Sequence, residues 1–149
     1  PAAKGDLLTA HYLAPTQEAV RELFTRGSAG PVVMLNLLRF RKVADYAATP
    51  ALAPASPISG AAAFQRYIDH TLPHLRASGG EIVFPGRGGP WFIGPADECW
   101  DLAMMIRQHS LASFMAFASN ADYLVGIGHR TAAVEDSRLL PLLERAPAV

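Results

Sequence analysis

Apolar residues recur at helical spacing in "PTQEAVRELFTRG", residues 15–27, where Val20, Leu23 and Phe24 share one stripe. Thr16 is a cap, Glu18 lies near the start and Gly27 near the stop, so the spacing predicts an accessory N-terminal helix. The period then changes. In "VVMLNLLRF", 32–40, both alternating faces are apolar, as expected of a strand covered on two sides. A second helical stripe (Phe64, Tyr67, Ile68, Leu72, Leu75) runs between Ser59 and Gly79-Gly80, with Pro73 expected to kink it or break its ladder. "GEIVFPGRGGPWFIGP", 80–95, reads as a short strand followed by a glycine and proline turn, and "ECWDLAMMIRQ", 98–108, as its hairpin partner. Ser110 caps a short helix bearing Leu111, Phe114, Met115 and Ala118; a further helical turn follows near Asp122–Val125, and a last strand is expected over 129–139. Residues 41–60 hold three prolines and no sustained period; so long a loop is expected to act as a lid or an interface arm.

The resulting order is helix, strand, helix, strand, strand, helix, strand. That is an α+β, ferredoxin-like βαββαβ unit with an extra N-terminal helix, its core spanning 31–142 of a single domain, 1–149. Both helices of such a unit cover one sheet face. The other face is apolar here too, and a second copy of the chain is the expected cover, giving a homodimeric α/β barrel.

Composition narrows the function. Lys plus Arg and Asp plus Glu both number 13, and the basic clusters, such as Arg39, Arg41 and Lys42, are short, so nucleic acid is not an expected partner. Cys99 is the single cysteine, which excludes an internal disulfide and a cysteine-rich metal site and suits the cytoplasm. The opening "PAAKGDLLTAHYL" lacks the apolar stretch of a signal peptide, and no apolar run approaches the ~18 residues of a membrane span.

Four phrases carry a family resemblance: "VVMLNLLRFRKVADY", "SGAAAFQRYIDHTLPHLRASGGEIVF", "ECWDLAMMIRQHSLASFMAFASNADYL" and "GHRTAAVEDSRLLPL". In order and content they resemble the bacterial domain-of-unknown-function family 1330, within the dimeric α/β-barrel superfamily. The resemblance implies a ferredoxin-like subunit whose sheet packs on its twin. The superfamily also includes cofactor-free monooxygenases, haem-degrading proteins and small isomerases, so fold analogy selects no reaction.

The candidate chemistry is a polar handful in an apolar setting. Asn36 interrupts the first strand, and a buried amide needs partners that a water- or ligand-filled cavity can supply. Alternation places Asn36 with Val32, Met34, Leu38 and Phe40, and Arg39 with Val33, Leu35 and Leu37; if helices cover the Asn36 face, Arg39 becomes the ligand contact. On the third strand Cys99, Asp101, Ala103, Met105 and Arg107 share one face, with Trp100, Leu102, Met104 and Ile106 on the core side. Asp101 is expected to move a proton or bind a polar group, and Arg107 to bind one; strand-end ion pairs are the alternative for both. His129, placed at the entrance to the last strand, is a candidate general base, and Arg130 a two-point clamp for a carboxylate, with dimer ion pairs among Arg130, Asp136 and Arg138 as the alternative. Trp91 is a candidate pocket wall. His70 and His74 lack the intervening glutamate of a metalloprotease helix, and "GRGG", 86–89, lacks the lysine of a phosphate loop, so neither a metal nor a cofactor is expected. These readings point to a small-molecule site for an apolar or aromatic ligand, either a cofactor-free oxygenase or isomerase, or a noncatalytic binding or structural module.

Overall fold

The computed structural model describes residues 11–27 and 29–145. Most of the N-terminal stretch read for a signal peptide lies outside them. Among the described residues no helix is long and apolar enough to cross a membrane.

The elements are α1 (Gln17–Arg26), β1 (Val32–Phe40), α2 (Gly60–Ala77), β2 (Glu81–Pro90), β3 (Cys99–Gln108), α3 (Leu111–Ala118), α4 (Ala121–Leu124), α5 (Ile127–Ala133) and β4 (Val134–Leu143). The four strands pair antiparallel in the order β2-β3-β1-β4, which is the ferredoxin-like arrangement. Each of the three main helices starts where a hydroxyl satisfies an orphan N–H: Thr16 accepts from Ala19 N, Ser59 from Ala62 N and Ser110 from Ser113 N.

Sheet register decides which side chains meet. Asn36 lies opposite Met104, Met34 opposite Ile106 and Leu38 opposite Leu102, so the even-numbered residues of β1 share the face that carries the helices. There Leu38 and Met104 pack with Phe64, Ala63, Ala132, Ala133 and Val134, and Val32 and Met34 with Leu111. Leu38, 1% exposed, contributes about 2 kcal/mol by leaving water. The opposite face lines up Phe84, Met105, Leu35 and Leu140 across all four strands, with Phe84 and Leu140 more than half exposed.

Two expectations change. The last strand begins at Val134, not near 129, because residues 127–133 form α5; His129 and Arg130 therefore sit on a helix. β2 runs through "PGRGG" to Pro90, and the turn falls at 91–98. An edge strand tolerates proline and glycine, and Gly88 backs so closely on the Trp100 carbonyl that a side chain would collide. α2 keeps Pro73 inside its span, where the missing N–H leaves a gap in the ladder. The 41–60 loop is held close to the body of the protein. Ala44 N donates to Ile58 O, Asp45 N donates to Ala132 O, and Tyr46 is buried, so the loop is stitched onto α5.

Candidate functional site

Between the sheet and α2 lies a cavity of about 50 Å³, room for a few water-sized groups. Leu38, Ile82, Met104 and Ile106 line it from the strands, and Phe64, Ile68, Leu72 and Leu75 from α2. Into these apolar walls come four polar side chains: Asn36, Tyr67, Thr71 and Arg130.

Each is placed by its element. Asn36 reaches the cavity because β1 alternation puts it on the helix-covered face, and its Nδ2 donates to Met34 O at 3.1 Å. A carboxamide has two N–H bonds to give and an oxygen to satisfy, so this single bond leaves capacity directed at the cavity. Thr71 stands on the same α2 stripe as Phe64, Ile68 and Leu75. It is 6% exposed, and its Oγ1 is buried with no hydrogen-bond partner. Such an orphan costs about 1–3 kcal/mol unless water or a ligand meets it. The Tyr67 hydroxyl lies 2.7 Å from that of Tyr123. Burial first, then the neighbouring Tyr67, pushes the Tyr123 phenol far above its usual range, so Tyr123 stays protonated and acts through hydrogen bonds. Arg130 reaches from α5, and its Nη1 donates to Leu13 O at 3.2 Å.

A wider, open depression of about 890 Å³ adjoins the cavity. The two share Phe64, Ile68, Ile82 and Met104 as a common wall. Asp101 lines the depression beside Leu102, so the strict alternation expected of β3 fails at this end, and its Oδ2 accepts from Phe40 N at 2.7 Å. Trp100 instead lies under the Arg138 guanidinium, 5.0 Å from the ring centroid.

The other candidates stand apart from both spaces. Arg39 occupies the face opposite Asn36 and pairs with Glu135 at 3.2 Å and Asp136 at 3.7 Å. Arg107 is held by Glu144 at 2.8 Å. Trp91 donates through Nε1 to Glu98 Oε2 at 2.6 Å on the hairpin turn and lines neither space. His129 Nδ1 lies 2.8 Å from the Tyr46 hydroxyl. Burial, then the charges of Arg66 and His70, lowers the His129 pKa, and burial raises that of Tyr46, so both shifts favour the neutral forms of the pair. His70 Nε2 donates to the backbone carbonyls of Asp122 and Tyr123. Among the described residues no cluster of three His, Cys, Asp or Glu side chains has the makings of a metal site.

Asn36 and Arg130 thus meet, while Asp101 and His129 lie elsewhere. Thr71 and Tyr67 do not stand out as site residues from the sequence pattern. The signal that could have found one of them is at Thr71, a hydroxyl on an otherwise apolar helical stripe, the counterpart of Asn36 in its strand.

No protein-family profile and no curated protein matches the chain. Among solved structures, the methylated RPA0582 protein is 32% identical, with a TM-score of 0.82 over 93% of this chain and 98% of that one. The RPA0582 protein of unknown function from Rhodopseudomonas palustris is 33% identical, with a TM-score of 0.80 over 93% of this chain and 100% of that one. A looser likeness, 10% identical with a TM-score of 0.46 over 78% of this chain and 97% of the other, is to a dimeric Bacteroides fragilis protein of unknown function with a ferredoxin-like fold. With a third of its residues shared along nearly the full length of both chains, this protein belongs to the family of Rhodopseudomonas palustris RPA0582.

Proposed function

We propose that this protein binds a small amphipathic molecule, whose neutral oxygen function enters the cavity under α2 while its apolar body lies along Phe64, Ile68, Ile82 and Met104 into the open depression. The observation that carries the reading is that Thr71, whose hydroxyl is buried without a hydrogen-bond partner, lines the same small space as Asn36 with its underused amide. A fold stabilised for its own sake would place Val and Leu there. The cavity is too small for a whole ligand, and the wall it shares with the depression gives a larger molecule somewhere to extend.

Binding is favoured over proton-transfer catalysis. Neither a carboxylate nor a histidine is among the residues lining the cavity, and of the three candidate catalytic residues only Asn36 faces it. We further propose a cytoplasmic homodimer joined through the outer sheet face, supported by the uncovered apolar row, and the finer membership of family 1330, supported by the four phrases quoted above.

Octan-1-ol is a suitable probe, measured by isothermal titration calorimetry. The double variant N36L/T71V should bind it about tenfold more weakly, while melting no lower than the wild type because the buried orphan is gone. Unchanged affinity would remove the polar pair from the site.

A further inference from the structure

The open depression carries charge that the fold leaves unanswered. Arg41 and Arg87 both line it, one following β1 and the other on edge strand β2. None of the ion pairs among the described residues engages either. The Arg41 Nε is buried and has no hydrogen-bond partner, so its guanidinium is partly stripped of water without receiving a counter-charge. A cation in that condition gains more from an incoming anion than a fully hydrated one. Asp101 is the carboxylate among the lining residues, and its Oδ2 is engaged by the Phe40 N–H. The balance at the mouth is two positive charges against one negative. Phe40 and Leu102 also line the depression, together with the wall of Phe64, Ile68 and Met104 that it shares with the inner cavity.

We propose that Arg41 and Arg87 form an anion site at the mouth of this cleft, so that the ligand is an amphipathic carboxylate bearing a neutral oxygen function at its far end, a hydroxy or keto acid with an apolar middle. The inference rests on the binding reading above and deepens it. The inner chamber reads the uncharged end through Asn36 and Thr71. The outer arginines read the carboxylate, and the aliphatic and aromatic wall between them sets the length and apolar character of the chain.

The test compares 8-hydroxyoctanoate with octan-1-ol, two probes sharing a hydroxyl end and a chain and differing in the carboxylate, by calorimetric titration of the full-length protein at low and moderate salt. Wild-type protein should prefer the acid by about tenfold or more, with the preference shrinking as salt rises. R41Q/R87Q should abolish the preference without weakening octan-1-ol, and R41K/R87K, which keeps the charge, should retain much of it and shows that loss in the glutamine variant is not misfolding. N36L/T71V should weaken both probes by the same factor and leave their ratio unchanged. Equal affinity of wild type for the two probes, or a preference that survives R41Q/R87Q, overturns the anion site and leaves the inner chamber standing. Acid binding that disappears in R41Q/R87Q but ignores N36L/T71V keeps the anion site and removes the chamber. Failure of wild type to bind either probe overturns both.

Discussion

Asp136 shows how much a single residue can hold. It is 3% exposed on β4, where its Oδ1 accepts from Tyr12 N, Ser137 N and Arg138 Nη1, while Arg39 approaches its Oδ2. Burial alone would raise its pKa, but the hydrogen bonds from Tyr12, Arg138 and Ser137 outweigh it and hold the carboxyl below its usual value of 3.8. The unfolded chain therefore takes up a proton before the folded one. The stability this carboxylate supplies is complete above the unfolded pKa and is lost as pH falls from there to the lowered folded value. Asp136→Asn should cost on the order of 2 kcal/mol at pH 7, and the gap from wild type should narrow as pH falls below 3.8, as followed by thermal melts across pH. The sequence marks Asp136 only as a charge beside Arg138; the strand pairing that carries Arg39 toward it and the docking of Tyr12 are tertiary facts. Asn36 is the reverse case, a polar residue whose oddity shows in the apolar strand around it, in the order of the amino acids alone.

At the scale of elements, the 41–60 loop and α5 form one unit. The Tyr46 hydroxyl is hydrogen-bonded to His129 Nδ1, and its ring meets the imidazole edge-on with centroids 5.6 Å apart. Tyr46→Phe should cost about 1 kcal/mol in urea denaturation and leave the imidazole without its hydroxyl partner. Because the folded His129 pKa is lowered from 6.5, the neutral imidazole contributes stability that is complete above the unfolded value and lost as pH falls below it. The wild-type stability should decline through that window, and His129→Gln should flatten the decline. A different constraint acts where α2 begins. Gly60 lies against the Arg41 backbone and the Ala133 carbonyl, so Gly60→Ala should lower the melting temperature by several degrees, because backbone rather than a flexible side chain must give way. Caps at Thr16 and Ser110 were legible because capping is local chemistry. The helical state of 127–133 was not, since "IGHRTAA" is too short for a convincing period and its packing on α2 decides the matter.

For the whole molecule, the unbalanced feature is the outer sheet face. Register aligns Phe84, Met105, Leu35 and Leu140 into a continuous apolar row, with Val33 and Leu142 in the neighbouring one. A sheet of this kind buries one face under helices and needs a second layer for the other. Wild-type protein should scatter light as a dimer at micromolar concentration, and Leu35→Asp, which sets a charge in the middle of the row, should shift it to monomer while circular dichroism keeps the α+β signature. A wild-type monomer would separate the apolar row from self-association.

The sequence by itself determined the order of elements, their caps and the two-sided apolar character of the central strands, because helix and strand periods and cap chemistry are short-range properties. It also singled out Asn36 as a polar residue without an obvious use. Only the tertiary structure decided that the Asn36 face is the helix-covered one, since side-chain alternation defines two faces but not which receives the helices. The same holds for the company each residue keeps. Thr71 joins Asn36, Asp101 and His129 part from it, and Arg41 and Arg87 line one depression, because those meetings depend on register and crossover rather than on spacing along the chain.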